Sequence, residues 1–463
     1  RYDHLKIESY IHRLFIKENI SEIPPLEFFP HHLCHAASSL ILNPSKEGVI
    51  ILNDGAGEII STSIHYYDGK SISKPLKKIF LPNSLGSVYA SLTEYLGYKA
   101  YEDEGRVMGL SCYGNYNKEI HNNFLKILEP LSSEENFYFS DPTYRYNFDR
   151  NYGNRFSDKM VDLLGKPRRN DESPLDKRFI DIAFSLQSTL ETILINLCEW
   201  SKKETNSKVC FFAGGVHMNC KANGNIVKSN IFKECYFQPA SSDNGVSLGA
   251  ALLAENIDKN DSFSKLTRLN NLFYGSSYDD KEILQLLKKI KVKYRFSENV
   301  SAEAAKSISE NKLIGWFQGR MEVGARSLGG RSILANPLSP KVRDLVNLNV
   351  KNREKWRPFC PSVKEESFEK YFGGNFESSN PLYMIIAYDV KKEILGSIPS
   401  CVHIDNTARP QAVSKTTNFN YWKLLDYLEK IQKHPVVLNT SFNVKGEPIV
   451  ESPEQALRCF FST

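Results

Sequence analysis

The stretch GVIILND, residues Gly48 to Asp54, decides the fold class of this chain. It is rich in β-branched and aliphatic residues and ends in turn-forming residues, which is typical of a buried strand. KVCFFAGG, from Lys208 to Gly215, repeats the pattern. Between the two strands, the segment from Arg178 to Thr205 has apolar residues three and four positions apart, which predicts a long helix with one buried face. Strands that alternate with amphipathic helices indicate an α/β architecture.

A second α/β block follows in the C-terminal part, where KLIGWFQG and PVVLNTSFN are further predicted strands. A turn-rich stretch at Leu266 to Ser277 marks the boundary, so we expect one domain at residues 1–265 and another at 274–463. The polar and aromatic stretch from Phe137 to Lys177 has weak periodicity and is interpreted as an insert. A chain of 463 residues also exceeds what a single core usually supports.

Composition excludes several classes of protein. Hydrophobic residues make up 41% and charged residues 24%, a globular balance rather than that of a disordered chain. No run approaches the ~20 apolar residues of a membrane span, and a net charge of +5 is small for a nucleic-acid-binding protein of this length. Nine cysteines without a C-x-x-C pair fit reduced thiols. We therefore expect a cytoplasmic protein that binds neither membranes nor nucleic acid.

Three of the ten histidines lie in PHHLCHAASS, residues Pro30 to Ser39. Positions four apart share one face of a helix, so His31 and His35 can point at one ion while His32 points elsewhere. Taken alone, this spacing fits a metal pair and an ordinary histidine cluster equally well. Asp54 and Asp243 end or follow predicted strands beside glycines and are candidates to complete a metal site.

Two glycine-containing loops follow predicted strands. DGAG carries Gly55 and Gly57, and AGGVHMN carries Gly214, Gly215 and Asn219. Backbone N–H groups in such loops can bind phosphate or pack against a nucleotide, although glycine turns are also common for purely steric reasons. A metal pair beside these loops favours nucleotide chemistry.

The ordered set of motifs resembles the O-carbamoyltransferases of the NodU/CmcH type. The resemblance extends from about Pro30 to Ala456 and rests on nine segments: HHLCHAAS, NDGAGE, EDEGRVMGLSCYG, AGGVHMNCKANGNI, QPASSDNGVSLGAAL, GRMEVGARSLGGRSILANP, KNREKWRPFCPS, HIDNTARPQAV and VVLNTSFNVKGEPIVESP. It implies an α/β and α+β fold, with an actin-like (ASKHA) domain similar to TsaD followed by a YrdC-like domain.

The resemblance also implies two-step chemistry. The YrdC-like domain would make carbamoyladenylate from carbamoyl phosphate and ATP, and the actin-like domain would transfer the carbamoyl group to a hydroxyl. A metal site of His31, His35, Asp54 and Asp243 is implied, with iron(II) the expected ion and Mn(II) or Zn(II) compatible with the same ligands. Mg²⁺ is expected to accompany ATP.

A basic constellation lies in GRMEVGARSLGGRSI, which carries Arg320, Arg326 and Arg331. Guanidinium groups bind phosphate oxygens in bidentate fashion, so this segment indicates an anion site. By the resemblance, Arg326, Lys351, Arg357 and Arg409 hold carbamoyl phosphate and the nucleotide, and Asn439 and Ser441 add neutral hydrogen bonds. Catalysis would then consist of alignment and charge neutralisation, without a covalent enzyme intermediate.

Two other interpretations stay open at this point. A fused threonylcarbamoyl-tRNA biosynthesis enzyme would share both folds, but its tRNA substrate favours a more basic surface. A non-catalytic nucleotide- or RNA-binding relative would not need the complete set of candidate ligands. The acceptor hydroxyl cannot be derived from the sequence, a homodimer is left open, and we expect acceptor contacts in the 137–177 insert.

The ends of the sequence support one more expectation. RYDHLKIESYIHRLFIKENI predicts an amphipathic helix with Leu5, Tyr10, Ile11, Leu14 and Phe15 on its apolar side. The resemblance places a hairpin of the type GxxHDSSA, with a histidine proposed as general base, ahead of this helix. We therefore expect residues 1–463 to be part of a longer polypeptide that retains adenylate formation but cannot complete acceptor transfer. We also expect GVIILND to lack a sheet partner.

Overall fold

The computed structural model describes residues 4–20, 22, 24–131, 133, 135–145, 154–258, 262–354, 356–374 and 379–463. Two five-stranded mixed sheets form its framework, which agrees with the predicted α/β class. No helix among the described residues combines the length and apolarity needed to cross a membrane. All nine cysteines are free thiols.

The first sheet lies in the N-terminal half and has the order β3-β2-β1-β6-β7. Strands β1, β2 and β3 form an antiparallel meander, whereas β6 and β7 run parallel to β1. A separate hairpin of β4 and β5 lies nearby in the chain. The strands are β1 (Gly48–Gly57), β2 (Ile60–Tyr67), β3 (Lys77–Phe80), β4 (Leu128–Pro130), β5 (Tyr138–Ser140), β6 (Val209–Ala213) and β7 (Glu234–Phe237).

Strand β1 lies at the centre of this sheet, and the expectation that it lacks a partner is wrong. Ile51 is paired with Ile64 of β2 on one side and with Phe212 of β6 on the other. All three side chains are buried. The apolar run of β1 is therefore covered on both edges by strands from within the described residues, and the strand predictions for 48–54 and 208–215 are confirmed.

The described helices of the N-terminal half are α1 (His4–Lys17), α2 (His31–Leu40), α3 (Leu85–Tyr95), α4 (Glu104–Ser111), α5 (Lys118–Leu125), α6 (Pro142–Arg145), α7 (Asp158–Leu164), α8 (Lys177–Thr205), α9 (Cys220–Lys228) and α10 (Val246–Asp258). Helices α2, α3 and α8 pack against the central strand of this sheet, and the long helix predicted for 178–205 is confirmed as α8. The helix α1 forms as predicted, but Tyr10 and Leu14 of its apolar side are exposed.

The segment predicted as an insert, residues 137–177, contributes to the main core where it is described. Phe137 and Tyr138 are buried beside β4, and Met160 and Leu164 of α7 are buried in the same cluster. Residues 146–153 of this segment lie outside the described residues.

The second sheet lies in the C-terminal half and has the order β13-β10-β14-β9-β8, which confirms strands at KLIGWFQG and PVVLNTSFN. Its elements, with a short separate ladder of β11 and β12, are α11 (Asp280–Lys289), α12 (Val300–Ser309), β8 (Ile314–Phe317), β9 (Arg331–Ala335), α13 (Pro340–Leu345), β10 (Cys360–Lys364), α14 (Phe368–Tyr371), β11 (Tyr388–Asp389), β12 (Thr407–Ala408), β13 (Gln411–Val413), α15 (Phe419–Gln432), β14 (Val436–Ser441) and α16 (Pro453–Phe461). One buried cluster joins the two halves, since Val363 and Phe368 pack in the core that contains β1 and α8.

Candidate metal centre and arginine pocket

Helix α2 places two histidines against the end of β1. The Nε2 atoms of His31 and His35 each lie 3.0 Å from Asp54 Oδ2 and 3.1 Å from one another. His31 Nε2 is also 3.6 Å from Asp243 Oδ1, at the start of a short 3₁₀ turn after β7. The structure thus brings the four predicted ligands together, with one ligand atom from each within 4.8 Å of the others.

The chemistry of these donors fits a divalent transition metal. Burial alone would raise the pKa of Asp54, but hydrogen bonds with His31 and His35 hold it well below the usual range. The hydrogen bond with Asp54 is also the main cause of a raised His31 pKa. Two imidazoles and two carboxylates form an N₂O₂ ligand set. Asp243 is the exposed member, so the open side of the cluster is the side towards solvent.

His32 points away from this cluster, as the helical spacing predicts. Its Nδ1 lies 2.8 Å from Ser63 Oγ and its Nε2 3.1 Å from the Ile60 carbonyl oxygen. Burial lowers the pKa of His32 to about 4. This ring is therefore neutral and links α2 to β2.

The glycines beside the cluster have different roles. A Cβ atom on Gly57 would lie 2.6 Å from the His31 and His32 rings, so this glycine lets β1 approach α2. Gly214 has φ +95° and passes the Asn53 carbonyl too closely for a side chain. The amides of Gly55 and Gly215 donate to Asp54 Oδ1, at 2.7 and 3.3 Å. Gly57 and Gly214 are thus needed for close packing, and Gly55 and Gly215 orient the carboxylate.

A cavity of about 1010 Å³ opens next to the metal cluster. Asp54 and Asp243 line it together with Gly55, Gly215 and Asn219, whereas Gly57 and Gly214 are not part of its wall. Asn219 also caps α9 by accepting a hydrogen bond from the Ala222 amide. Three of the five residues predicted in the two glycine-containing loops therefore line this cavity.

A second cavity, of about 320 Å³, carries most of the predicted anion-binding residues. Arg326, Arg357 and Arg409 line it, as do Asn439 and Ser441. Lys351 does not line it. Its Nζ instead contacts backbone and side-chain oxygens of Ser441 and Asn443 at 2.6–3.1 Å, so Lys351 holds the loop that follows β14.

The arginine pocket contains a cation that the sequence reasoning missed. Arg353 lines the cavity, donates from Nε to Asn347 Oδ1 at 2.7 Å and lies over the Phe359 ring. The basic pattern of KNREKWR was the available signal. Two other arginines of the predicted constellation serve the fold. Arg331 is fully buried and donates to backbone carbonyls, and Arg320 is exposed and donates to the Tyr274 carbonyl oxygen.

The guanidinium groups of this pocket are incompletely neutralised. Burial, followed by the charge of Arg409, lowers the pKa of Arg326 to about 10, and Arg326 Nε has no hydrogen-bond partner. Burial and then the charge of Arg357 lower the pKa of Arg353 to about 9. Arg409 contacts the Cys360 sulfur at 3.0 and 3.2 Å. An oxyanion bound here would relieve the mutual repulsion of these groups.

The N-terminal half also contributes to this pocket. Met108 and Cys112 at the end of α4, and Cys220 and Lys221 at the start of α9, lie in its wall. Arg326 and Arg357 line both cavities, together with Gly105 and Met108. The metal-side cavity and the arginine pocket are therefore neighbours that share one wall.

A second group with metal-ligand chemistry, Cys112, His403 and Asp405, lies at the edge of the arginine pocket. The Lys221 ammonium is 3.1 Å from Cys112 Sγ and 3.4 Å from Asp405 Oδ2, so it already supplies a positive charge there. Burial also raises the pKa of Cys112 to about 12 and keeps its thiol protonated. We assign no metal to this group.

Comparison with known proteins gives consistent matches over most of the chain. The model of the carbamoyltransferase N-terminus matches residues 5–252, and that of the carbamoyltransferase C-terminus matches residues 305–463. An uncharacterised protein of Synechocystis is 35% identical over 96% of this chain and 75% of its own length. Nodulation protein NolNO of Sinorhizobium fredii is 32% identical over 97% of this chain and 64% of its own length. Nodulation protein NolO of Bradyrhizobium diazoefficiens is 31% identical over 94% of this chain and 76% of its own length.

Proposed function

Because the chain belongs to the carbamoyltransferase family, we propose that it makes carbamoyladenylate from carbamoyl phosphate and ATP and transfers the carbamoyl group to a hydroxyl. The two family matches confirm that the motifs are those of a carbamoyltransferase. The observation that carries the two-step proposal is the pair of cavities with a common wall. One presents incompletely neutralised arginines, and the other presents the cluster of two histidines and two aspartates.

In the proposed first step, carbamoyl phosphate is hydrolysed to carbamate and phosphate. A carbamate oxygen then attacks the α-phosphorus of ATP, and the bond from that phosphorus to pyrophosphate breaks. Arg326, Arg357 and Arg409 would neutralise the phosphate charges, and Asn439 would orient the bound anion by hydrogen bonding. Mg²⁺ would accompany the triphosphate.

In the proposed second step, the acceptor hydroxyl attacks the carbamoyl carbon and AMP leaves. Gly55, Gly215 and Asn219 line the cavity where the adenylate would lie. Iron(II), Mn(II) or Zn(II) held by His31, His35, Asp54 and Asp243 would supply a positive charge for the adenylate phosphate. We assign this step to an actin-like domain at 1–265 and the first to a YrdC-like domain at 274–463, an assignment supported by the two separate mixed sheets.

The test follows both half-reactions and the metal content. We expect pyrophosphate and AMP from ATP only when carbamoyl phosphate is present. Arg326→Ala should slow pyrophosphate release by about 10- to 150-fold, because a charge-assisted contact worth roughly 1.5–3 kcal/mol is lost from the bound anion. Arg320→Ala, an exposed arginine in the same segment, is the matched control and should behave as wild type.

His35→Ala should lose near-stoichiometric metal by elemental analysis and still release pyrophosphate. His12→Ala, on α1, is its control. Unchanged metal content in His35→Ala would remove the metal centre from the proposal. Loss of the same half-reaction in His35→Ala and Arg326→Ala would contradict the division of labour.

A further inference from the structure

An ion-pair network joins the wall between the two cavities to the loop that carries Arg353 and Arg357. Arg106 of α4 lines the metal-side cavity and contacts the carboxylates of Asp103, Asp171 and Glu354. Its guanidinium lies 4.4 Å from the centre of the Tyr98 ring. The side chain is only 12% exposed, so these contacts are largely shielded from solvent.

Glu354 is shared by two cations from different parts of the chain. One carboxylate oxygen accepts a hydrogen bond from Arg106, and the other lies 3.8 Å from Arg357 Nη1. Arg357 in turn lines both cavities. Glu354 therefore connects Arg357 to α4, and both Arg357 and α4 contribute residues to the wall that the two cavities share.

A second contact holds the same loop on the same helix. The Tyr113 hydroxyl, just beyond α4, donates to the Trp356 carbonyl oxygen at 3.1 Å. A Cβ atom on Gly109 would lie 3.3 Å from the Trp356 ring, which shows how closely the loop packs on α4. At its other end, the loop is attached to the C-terminal sheet through Lys351.

We propose that the Arg106–Glu354 ion pair is a latch that holds the loop carrying Arg353 and Arg357 against α4 and so shields the reactive intermediate of the reaction from water. The inference rests on the proposed two-step function. Carbamoyladenylate that meets water gives AMP and carbamate, because water attacks the carbamoyl carbon and AMP leaves. A loop held against α4 protects the intermediate from this side reaction while it waits for its acceptor. Glu354 is thus a positioning residue that acts through Arg357 and α4.

Glu354→Gln is the variant that isolates this role. The amide keeps the size of the side chain, and Arg106 keeps its contacts with Asp103 and Asp171, so the fold should persist. Arg357 loses its carboxylate contact, and the loop loses its charged attachment to α4. Glu303→Gln is the matched control, because Glu303 pairs with Arg295 at an exposed site.

The experiment uses the full chain with ATP and carbamoyl phosphate and no acceptor. Wild type should release a burst of about one pyrophosphate per enzyme, followed by slow release of AMP, since the intermediate is retained. Glu354→Gln should keep the burst amplitude and release AMP about tenfold faster in the steady state. Arg106→Lys should release AMP more slowly than Arg106→Gln, because the lysine keeps a positive charge beside Glu354. The double variant Arg106→Gln/Glu354→Gln should release AMP no faster than either single variant.

The outcomes of this experiment distinguish a failure of the proposed function from a failure of the latch alone. A wild-type protein without a carbamoyl-phosphate-dependent burst overturns the proposed function itself. A normal burst with unchanged AMP release in Glu354→Gln overturns only the latch, as does a wild type that already releases AMP rapidly. Loss of the burst in Glu354→Gln would place Glu354 in adenylate formation instead. If Glu354→Gln does not fold, Arg106→Gln provides the same comparison, with Arg106→Lys as its conservative control.

Discussion

Lys351 is a buried cation close to the arginine pocket, although it does not line the pocket wall. Burial, followed by the charge of Arg353, lowers the pKa of Lys351 to about 7. Its Nζ nevertheless has four oxygen atoms within 3.1 Å, all from Ser441 and Asn443. An anion bound among the arginines would offset their repulsion and favour the protonated form. Under the proposed function, the contacts of Lys351 with the loop after β14 would therefore be strengthened by anion binding.

We predict that the KM for carbamoyl phosphate rises between pH 7 and about pH 8.5 in the wild type. Above pH 7 the free enzyme has neutral Lys351, so binding must take up a proton and weakens by up to about tenfold per pH unit. Lys351→Arg should flatten this dependence, because an arginine stays protonated in that range. Steady-state kinetics across the pH series provide the measurement. An identical pH profile in the variant would show that another group titrates.

The elements that form the metal centre depend on an unusually close approach of two helices. Gly249 of α10 lies against α2, and a Cβ atom there would come within 1.8 Å of the Cys34 carbonyl oxygen. The side-chain amide of Gln238, after β7, also donates to the Ser38 carbonyl oxygen of α2. Helix α2 is therefore held by its close packing on α10 and by the Gln238 side chain, and this position directs His31 and His35 towards Asp54.

We predict that Gly249→Ala destabilises the protein by about 1–3 kcal/mol and lowers its metal content, because α2 must move away from α10. Urea unfolding and elemental analysis measure the two effects. Ser247→Ala, at an exposed position of the same helix, should change neither. Full metal content in a destabilised Gly249→Ala variant would mean that the aim of the histidines does not depend on this packing.

At the scale of the whole molecule, the arginine pocket is built by both halves of the chain. Helix α9 of the N-terminal half contacts the 385–387 segment of the C-terminal half, where the Ala387 amide donates to the Cys220 carbonyl oxygen at 2.9 Å. The side-chain amide of Asn223 donates to the Ile385 carbonyl oxygen at 2.8 Å. Since Cys220 and Lys221 also line the pocket, its shape depends on how the halves meet.

We predict that Gly224→Ala raises the KM for carbamoyl phosphate by about tenfold or more, although Gly224 does not line the pocket. An added Cβ would lie 2.3 Å from the Ala387 carbonyl oxygen and would shift α9 relative to the arginines. Lys228→Ala is the control. It removes the exposed ion pair with Asp389 across the same contact, which contributes at most about 1 kcal/mol. Wild-type kinetics in Gly224→Ala would show that the halves can shift without affecting the pocket.

The sequence by itself determined the local features of this protein. Apolar runs and periodicity predicted β1, β6 and α8, because strand and helix patterns depend on neighbouring residues. The four-residue spacing of His31 and His35 predicted that both face one side of α2. The order of nine motifs identified the carbamoyltransferase family, since each motif is a continuous segment.

Only the tertiary structure decided how these segments meet. The contact of Arg106 with Glu354, and the shared wall of the two cavities, join residues that are far apart in the chain. The separation of Lys351 from the pocket wall and the structural role of Arg331 were equally invisible, because an arginine or lysine has the same local pattern in either role. The physical reason is that burial and charge pairing depend on the packing of distant elements, which leaves no local periodicity in the sequence.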